Sequence, residues 1–175
     1  MILKKLLFVI IMWCVATPMR AQTGEKEANL KAAFIYSFTK YIDWGNYNDK
    51  SEFVIGVIGA DSPVIPPLQE IARTSKINDK RIEIRIINDL SDIKNCDILF
   101  ITKECSFPLK EVLDRTGQGM LTISESKGFA AKGTDFNFVI VNQKLKFEAN
   151  LVAINSSGLK AGSQLLKLAI IVNQD

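Results

Sequence analysis

The sequence predicts an α/β protein: a three-layer α/β sandwich whose mixed, largely parallel sheet ends in a β-hairpin and a C-terminal helix. Three observations predict it. Residues 53–59 (FVIGVIG) and 97–102 (DILFIT) are short apolar runs bounded by turn residues, the pattern of strands buried on both faces. Stretches with helical spacing alternate with these runs, as expected of a sheet covered on both sides. Late in the chain, residues 136–141 and 145–150 flank Asn142-Gln143-Lys144, a hairpin connection.

Residues 1–21 read as a secretory signal peptide. Lys4 and Lys5 open it, residues 6–16 form its apolar run, and Ala21-Gln22 supplies a cleavage point, with a large residue, Met19, three positions before the cut. The run falls short of the ~20 residues that span a bilayer. Cys14 does not make a lipoprotein signal, because Trp13 stands where a small residue is needed. The expectation is one α/β domain over residues 22–175, exported to the periplasm, with no membrane insertion after cleavage.

Residues 22–27 are polar and are expected to fray. A helix follows over 28–44, with Leu30, Ala33, Phe34, Phe38, Tyr41 and Ile42 on its core side and Gly45 as a left-handed cap. After the strand at 53–59, Asp61 or Ser62 is placed to cap a helix over 64–75, whose first turn holds Pro66-Pro67. Residues 81–87 alternate charged and apolar side chains, a strand with one wet face near an edge. A short helical turn holds Leu90 and Ile93. The strand at 97–102 comes next, then a helix over 107–116, a strand over 120–124 and a loop over 125–135. Beyond the hairpin the pattern gives helices over 151–155 and 157–172, broken near Gly158.

Composition excludes whole classes of chemistry. The chain has 175 residues and no histidine, which removes a Ser-His-Asp triad, a Cys-His pair, HExxH zinc chemistry and any histidine pH switch. It has 22 Lys+Arg against 19 Asp+Glu, but Lys4, Lys5 and Arg20 lie in the signal peptide. Without those three the balance is neutral, which lacks the electrostatic footprint of a nucleic-acid binder. An oxidising compartment suggests a disulfide between Cys96 and Cys105, and reach favours two separate thiols instead, Cys96 buried and Cys105 near a loop. The strand between them covers ~20 Å, and the three further residues offer ~10 Å of return toward the ~7 Å that a disulfide needs. No cofactor and no metal site is expected.

Several segments together resemble the YfiR-like family. They are residues 31–44 (KAAFIYSFTKYIDW), 53–61 (FVIGVIGAD), 96–101 (CDILFI), 121–130 (LTISESKGFA), 147–151 (FEANL) and 158–169 (GLKAGSQLLKLA). They run in order along nearly the whole exported chain. The resemblance implies a periplasmic regulator that holds a membrane signalling enzyme inactive by binding its periplasmic domain. In the best-known case the target is an inner-membrane diguanylate cyclase, whose release raises cyclic-di-GMP and favours biofilm growth. Sensor kinases are the other implied partners. Two positions depart from the family pattern. Gly133-Thr134 stands where two glycines are frequent, and the upstream cysteine that would pair with Cys96 is missing. The second departure argues against control by disulfide switching.

The candidate partner-binding residues are Tyr36, Glu148, Asn150, Leu165, Leu168 and Val172. Tyr36 falls opposite the core stripe of its helix. Glu148 and Asn150 fall on the strand face opposite Phe147 and Ala149, which is either a solvated face or a contact. As a helix, residues 157–172 spread their apolar side chains over ~200°, twice a one-sided stripe. The excess is either buried on two sides or left for a partner, a homodimer included. A second group, Gly59, Asp61, Ser62, Ser124, Glu125 and Phe129, follows strand ends where open α/β sheets bind small ligands.

Overall fold

The computed structural model describes residues 19–45 and 50–172. Residues 1–18, with Cys14 and most of the expected signal peptide, lie outside the described residues. The elements in order are α1 (Met19–Phe38), β1 (Ile42–Asp43), β2 (Glu52–Ile58), α2 (Ile65–Thr74), β3 (Lys76–Ile77) and β4 (Lys80–Ile87). A 3-10 turn (Leu90–Ile93), β5 (Ile98–Ile101), α3 (Leu109–Leu113) and β6 (Leu121–Ser124) follow. The chain continues with β7 (Phe136–Val141), β8 (Lys144–Asn150), α4 (Leu151–Ser156), β9 (Lys160–Ala161), α5 (Ser163–Leu166) and β10 (Ile170–Val172).

Eight strands form one sheet in the order β10-β8-β7-β6-β5-β2-β4-β3. Neighbours are parallel except at the β7/β8 and β3/β4 hairpins. The expected mixed, largely parallel sheet is therefore present. It is covered on both faces. Phe53, Ile55 and Val57 of β2 pack with Ala32, Ile35 and Phe38 of α1 and with Leu68 of α2. Val54 and Ile58 point the other way, into a second cluster with Ile93 and Val112. Each hairpin turns through two residues with positive φ, Asn78-Asp79 (49° and 64°) and Asn142-Gln143 (50° and 60°). These are the backbone angles that match the twist of paired strands.

α1 corrects the sequence reading. It runs over 19–38 instead of 28–44, so residues 22–27 are helical. Its buried face is Ala28, Lys31, Ala32, Ile35 and Phe38, whereas Leu30, Ala33 and Tyr41 are exposed. Apolar residues occur all around this helix, so periodicity does not single out a face. Packing selects the side with two alanines, which lies close to the sheet. Phe38 then stacks on Phe136 with ring centroids 4.8 Å apart. Gly45 does adopt a positive φ of 61°, but it sits past β1, not at the helix end. At α2 the N-cap is Val64 with no side-chain cap, so neither Asp61 nor Ser62 caps it. Pro66 and Pro67 do occupy the first turn.

The largest correction is at the C-terminus. No helix spans 157–172. Gly158, at φ 73°, stops α4. β9 then pairs with β1, and the Gly162 N–H donates to the Tyr41 carbonyl at 2.7 Å. After the single turn of α5, the β-branched run Ile170-Ile171-Val172 forms β10, an edge strand parallel to β8. Such side chains favour a pleated surface over a helix. The apolar spread that looked like an over-wide helical stripe is short elements burying Leu159 and Leu165 and exposing Leu168.

Candidate interaction surface

The β7–β8–β10 end of the sheet brings together most of the features that stand out from an ordinary folded surface. β8 places Glu148, Ala149 and Asn150 opposite Ile170, Ile171 and Val172. Leu168 (68% exposed), Ile170 and Ile171 (48%) lie on or beside this edge. Leu151 and Val152 follow directly from Asn150, and Ile140 projects from the neighbouring hairpin; all three are exposed. They fall on both faces of this sheet end, since Ile170 and Ile171 are neighbours in one strand, and large exposed side chains of this type mark contact surfaces.

A buried polar network holds this edge in place. Ser124 Oγ donates to Asn137 Oδ1 at 2.7 Å, and Asn137 Nδ2 donates to Glu148 Oε2 at 2.8 Å. Ser124 also shares a 2.8 Å hydrogen bond with Thr134. The Glu148 carboxylate thus ends a chain that begins on β6 and crosses β7. Next to it, Asn150 Oδ1 accepts from the Ala153 N–H at 3.0 Å, capping α4, while its Nδ2 donates to the Ala130 carbonyl at 2.8 Å. The Asn150 N–H donates to the Asp135 carbonyl. The Asp135 carboxyl in turn accepts from the Thr122 N–H (2.6 Å), the Thr122 hydroxyl (2.8 Å) and the Ser157 hydroxyl (3.2 Å). Burial pushes its pKa up to about 6, opposed by those hydrogen bonds.

The sequence-derived candidates separate on this frame. Glu148, Leu168 and Val172 belong to the β10 end, with Glu148 and Val172 half-buried. Asn150 is fully buried and is a structural cap, because it ends β8 and starts α4 and so never presents a strand face. Leu165 is buried in the main core, because α5 turns it inward. Tyr36 donates to the Lys76 carbonyl at 3.3 Å, which places it by β3, at the far edge of the sheet from β10. Ile170 and Ile171 were not singled out as exposed strand residues. The run of three β-branched residues was the available signal.

The strand-end candidates take separate local roles. Gly59, Asp61 and Ser62 line none of four open cavities, of 410–540 Å³, on this chain. A Cβ at Gly59 would meet Thr102 Oγ1 at 2.1 Å, so that glycine serves packing against the end of β5. Ser62 is buried and Asp61 exposed. Ser124 is consumed by the network above. Glu125 is held by Lys31 and by the Lys103 N–H, the latter at 3.0 Å. Phe129 packs on the second core cluster. Glu125 does border a cavity of about 460 Å³, together with Lys31, Gly128, Ile140 and Glu148.

The model of one protein family, described as YfiR/HmsC-like, matches residues 28–170, from α1 to the first residue of β10. The chain belongs to the YfiR/HmsC-like family. No curated protein matches it. YfiR/HmsC-like proteins are known as periplasmic regulators of diguanylate cyclases, a regulatory and non-catalytic family. In this member, no helix of the described residues is long and apolar enough to cross a membrane. Thr134, which stands where the family resemblance leads us to expect a second glycine, is buried and hydrogen-bonded to Ser124. The departure is absorbed by the network under the β10 edge.

Proposed function

We propose that this chain is an exported periplasmic regulatory protein that binds and represses a membrane-anchored signalling enzyme, a diguanylate cyclase or a sensor kinase, and so governs cyclic-di-GMP and biofilm-type signalling. Family membership supports the regulatory role. The observation that carries the contact is the β10 end. Of nine exposed large apolar side chains among the described residues, Ile140, Leu151, Val152, Leu168, Ile170 and Ile171 lie there. Repression by contact needs no chemistry from this chain. It needs tighter binding to the off state of the target than to the on state, with about 1.4 kcal/mol of difference for each tenfold bias. Affinity capture on the immobilised periplasmic domains of the membrane cyclases and sensor kinases of the same cell tests the reading. Retention supports it. No retention, with unchanged signalling after deletion of the chain, contradicts it.

A small-molecule sensor is the second reading, favoured by the cavity that Glu125 and Lys31 border. A thermal-shift screen of envelope metabolites separates the two. A ligand present at 100 times its Kd raises stability by roughly 2.7 kcal/mol.

A further inference from the structure

We infer that the β10 edge receives an extended, acidic and apolar segment of the membrane enzyme's periplasmic domain, which adds to the sheet as a ninth strand. This rests on the repressor reading and specifies how the contact is made.

The two edges of the sheet differ. β3 is two residues long, carries Lys76 and turns back at once through Asn78 and Asp79. That is a blunted edge. β10 consists of Ile170, Ile171 and Val172, with no charge, no proline and no outer partner strand among the described residues. An edge strand presents a row of free N–H and C=O groups, and proteins guard such edges with Lys, Pro or a bulge. Apart from its three-residue length, no such guard stands on the edge where the exposed apolar side chains gather. Strand addition uses both features, with main-chain bonds for affinity and side-chain contacts for specificity.

Charge selects the occupant. On β8 and just before β10 the chain carries Lys144, Lys146 and Lys167, while the carboxylates nearest Ile170 are already held, Glu148 by Asn137 and Glu125 by Lys31. These three lysines are exposed, and none forms an ion pair among the described residues. They attract an acidic segment and repel a second copy of the same surface. An anionic bilayer would also be attracted, but its hydrocarbon core, where the apolar side chains would sit, cannot hydrogen-bond an open strand edge.

The test measures binding of the periplasmic domains of the membrane cyclases and sensor kinases of the same cell to wild type, to Ile171→Lys, and to the double variant Lys146→Glu/Lys167→Glu. All three positions are exposed, and thermal unfolding verifies each fold. Ile171→Lys is expected to weaken binding about tenfold or more, ~1.4 kcal/mol. The double variant weakens it too and flattens its salt dependence. Amides of β10 gain hydrogen-exchange protection in the wild-type complex. Wild-type affinity in both variants overturns strand addition and leaves the repressor reading standing. No binding by wild type overturns the repressor reading and the docking mode with it. A concentration-dependent dimer abolished by Ile171→Lys assigns the edge to a second copy and overturns the inference. Co-sedimentation of wild type with phosphatidylglycerol/phosphatidylethanolamine vesicles, abolished by the same change, assigns it to lipid and overturns it equally.

Discussion

Lys31, on the sheet side of α1, and Glu125, one residue past the end of β6, form an ion pair almost closed to solvent, with side chains 9% and 4% exposed. Glu27, one helical turn earlier, reaches the same ammonium at 2.5 Å. The pair fastens the first helix to the carboxyl end of the sheet. Lys31→Met leaves the Glu125 carboxylate buried without its cation, and breaking a buried pair costs about 3–5 kcal/mol. The double change Lys31→Met/Glu125→Leu recovers most of that loss, which urea unfolding of the three variants measures. Additive losses in the double variant would contradict this account.

The same pair sets an alkaline limit. Burial pulls the Lys31 ammonium down, but hydrogen bonds to Glu125 and Glu27, with their charges, outweigh it and hold its pKa above the ordinary 10.5. Its contribution to stability is complete below 10.5 and is lost as the pH climbs through the raised folded value. Stability against pH at the alkaline end, compared with Lys31→Met, shows the difference.

Asp135 gives the opposite dependence. Its folded pKa of about 6 lies above its ordinary 3.8, so the folded state holds a proton that the unfolded chain releases. The associated stability is complete below pH 3.8 and is lost as the pH rises to about 6. The loss is on the order of 3 kcal/mol at 1.36 kcal/mol per pKa unit. Asp135→Asn removes this slope between those limits, and chemical denaturation across the range detects it. An unchanged slope would show that another group is responsible.

Asn150→Ala removes both the α4 cap and the donor to the Ala130 carbonyl. Losing a cap costs about 1 kcal/mol and orphaning a buried acceptor about 1–3 kcal/mol more. Asn150→Ser retains a capping oxygen and loses the donor to the Ala130 carbonyl without adding a charge, so its stability falls between. If Asn150 were instead a partner contact, partner binding would fall with stability unchanged. Denaturation and binding measured on the same variants separate the two roles.

How much of this was legible in the sequence depends on the element. β2 and β5 were readable because both faces are buried, which leaves an uninterrupted apolar run. The β7/β8 hairpin was readable because Asn142 tolerates positive φ between two strand patterns. The buried face of α1 was not, because it includes Lys31, whose partner Glu125 lies 94 residues away. Local periodicity carries no trace of such a partner. The C-terminal region failed for a different reason. β9, α5 and β10 have two, four and three residues, too short for any period to register. Of the candidate contact residues, Glu148, Leu168 and Val172 lie at the β10 end of the sheet. Asn150 was misplaced because alternation along a strand says nothing about the residue that ends it and caps the next helix.

The two cysteines offer a compact check on the fold. Cys96 and Cys105 are both free, at opposite ends of β5, and burial raises both thiol pKa values. Cys96 is buried and Cys105 half-buried. A disulfide reagent at neutral pH should label Cys105 slowly, Cys96 only on unfolding, and both once denatured. A denatured chain with neither thiol reactive would mean they are joined.

The central claim is repression by contact through the β10 edge, and the cellular cyclic-di-GMP level tests it most directly where a cyclase is encoded beside the chain. Deleting the chain should raise that level. Wild type should restore the low level, and Ile171→Lys, exported in equal amount, should fail to do so. An unchanged level on deletion, or full restoration by Ile171→Lys, would contradict the account.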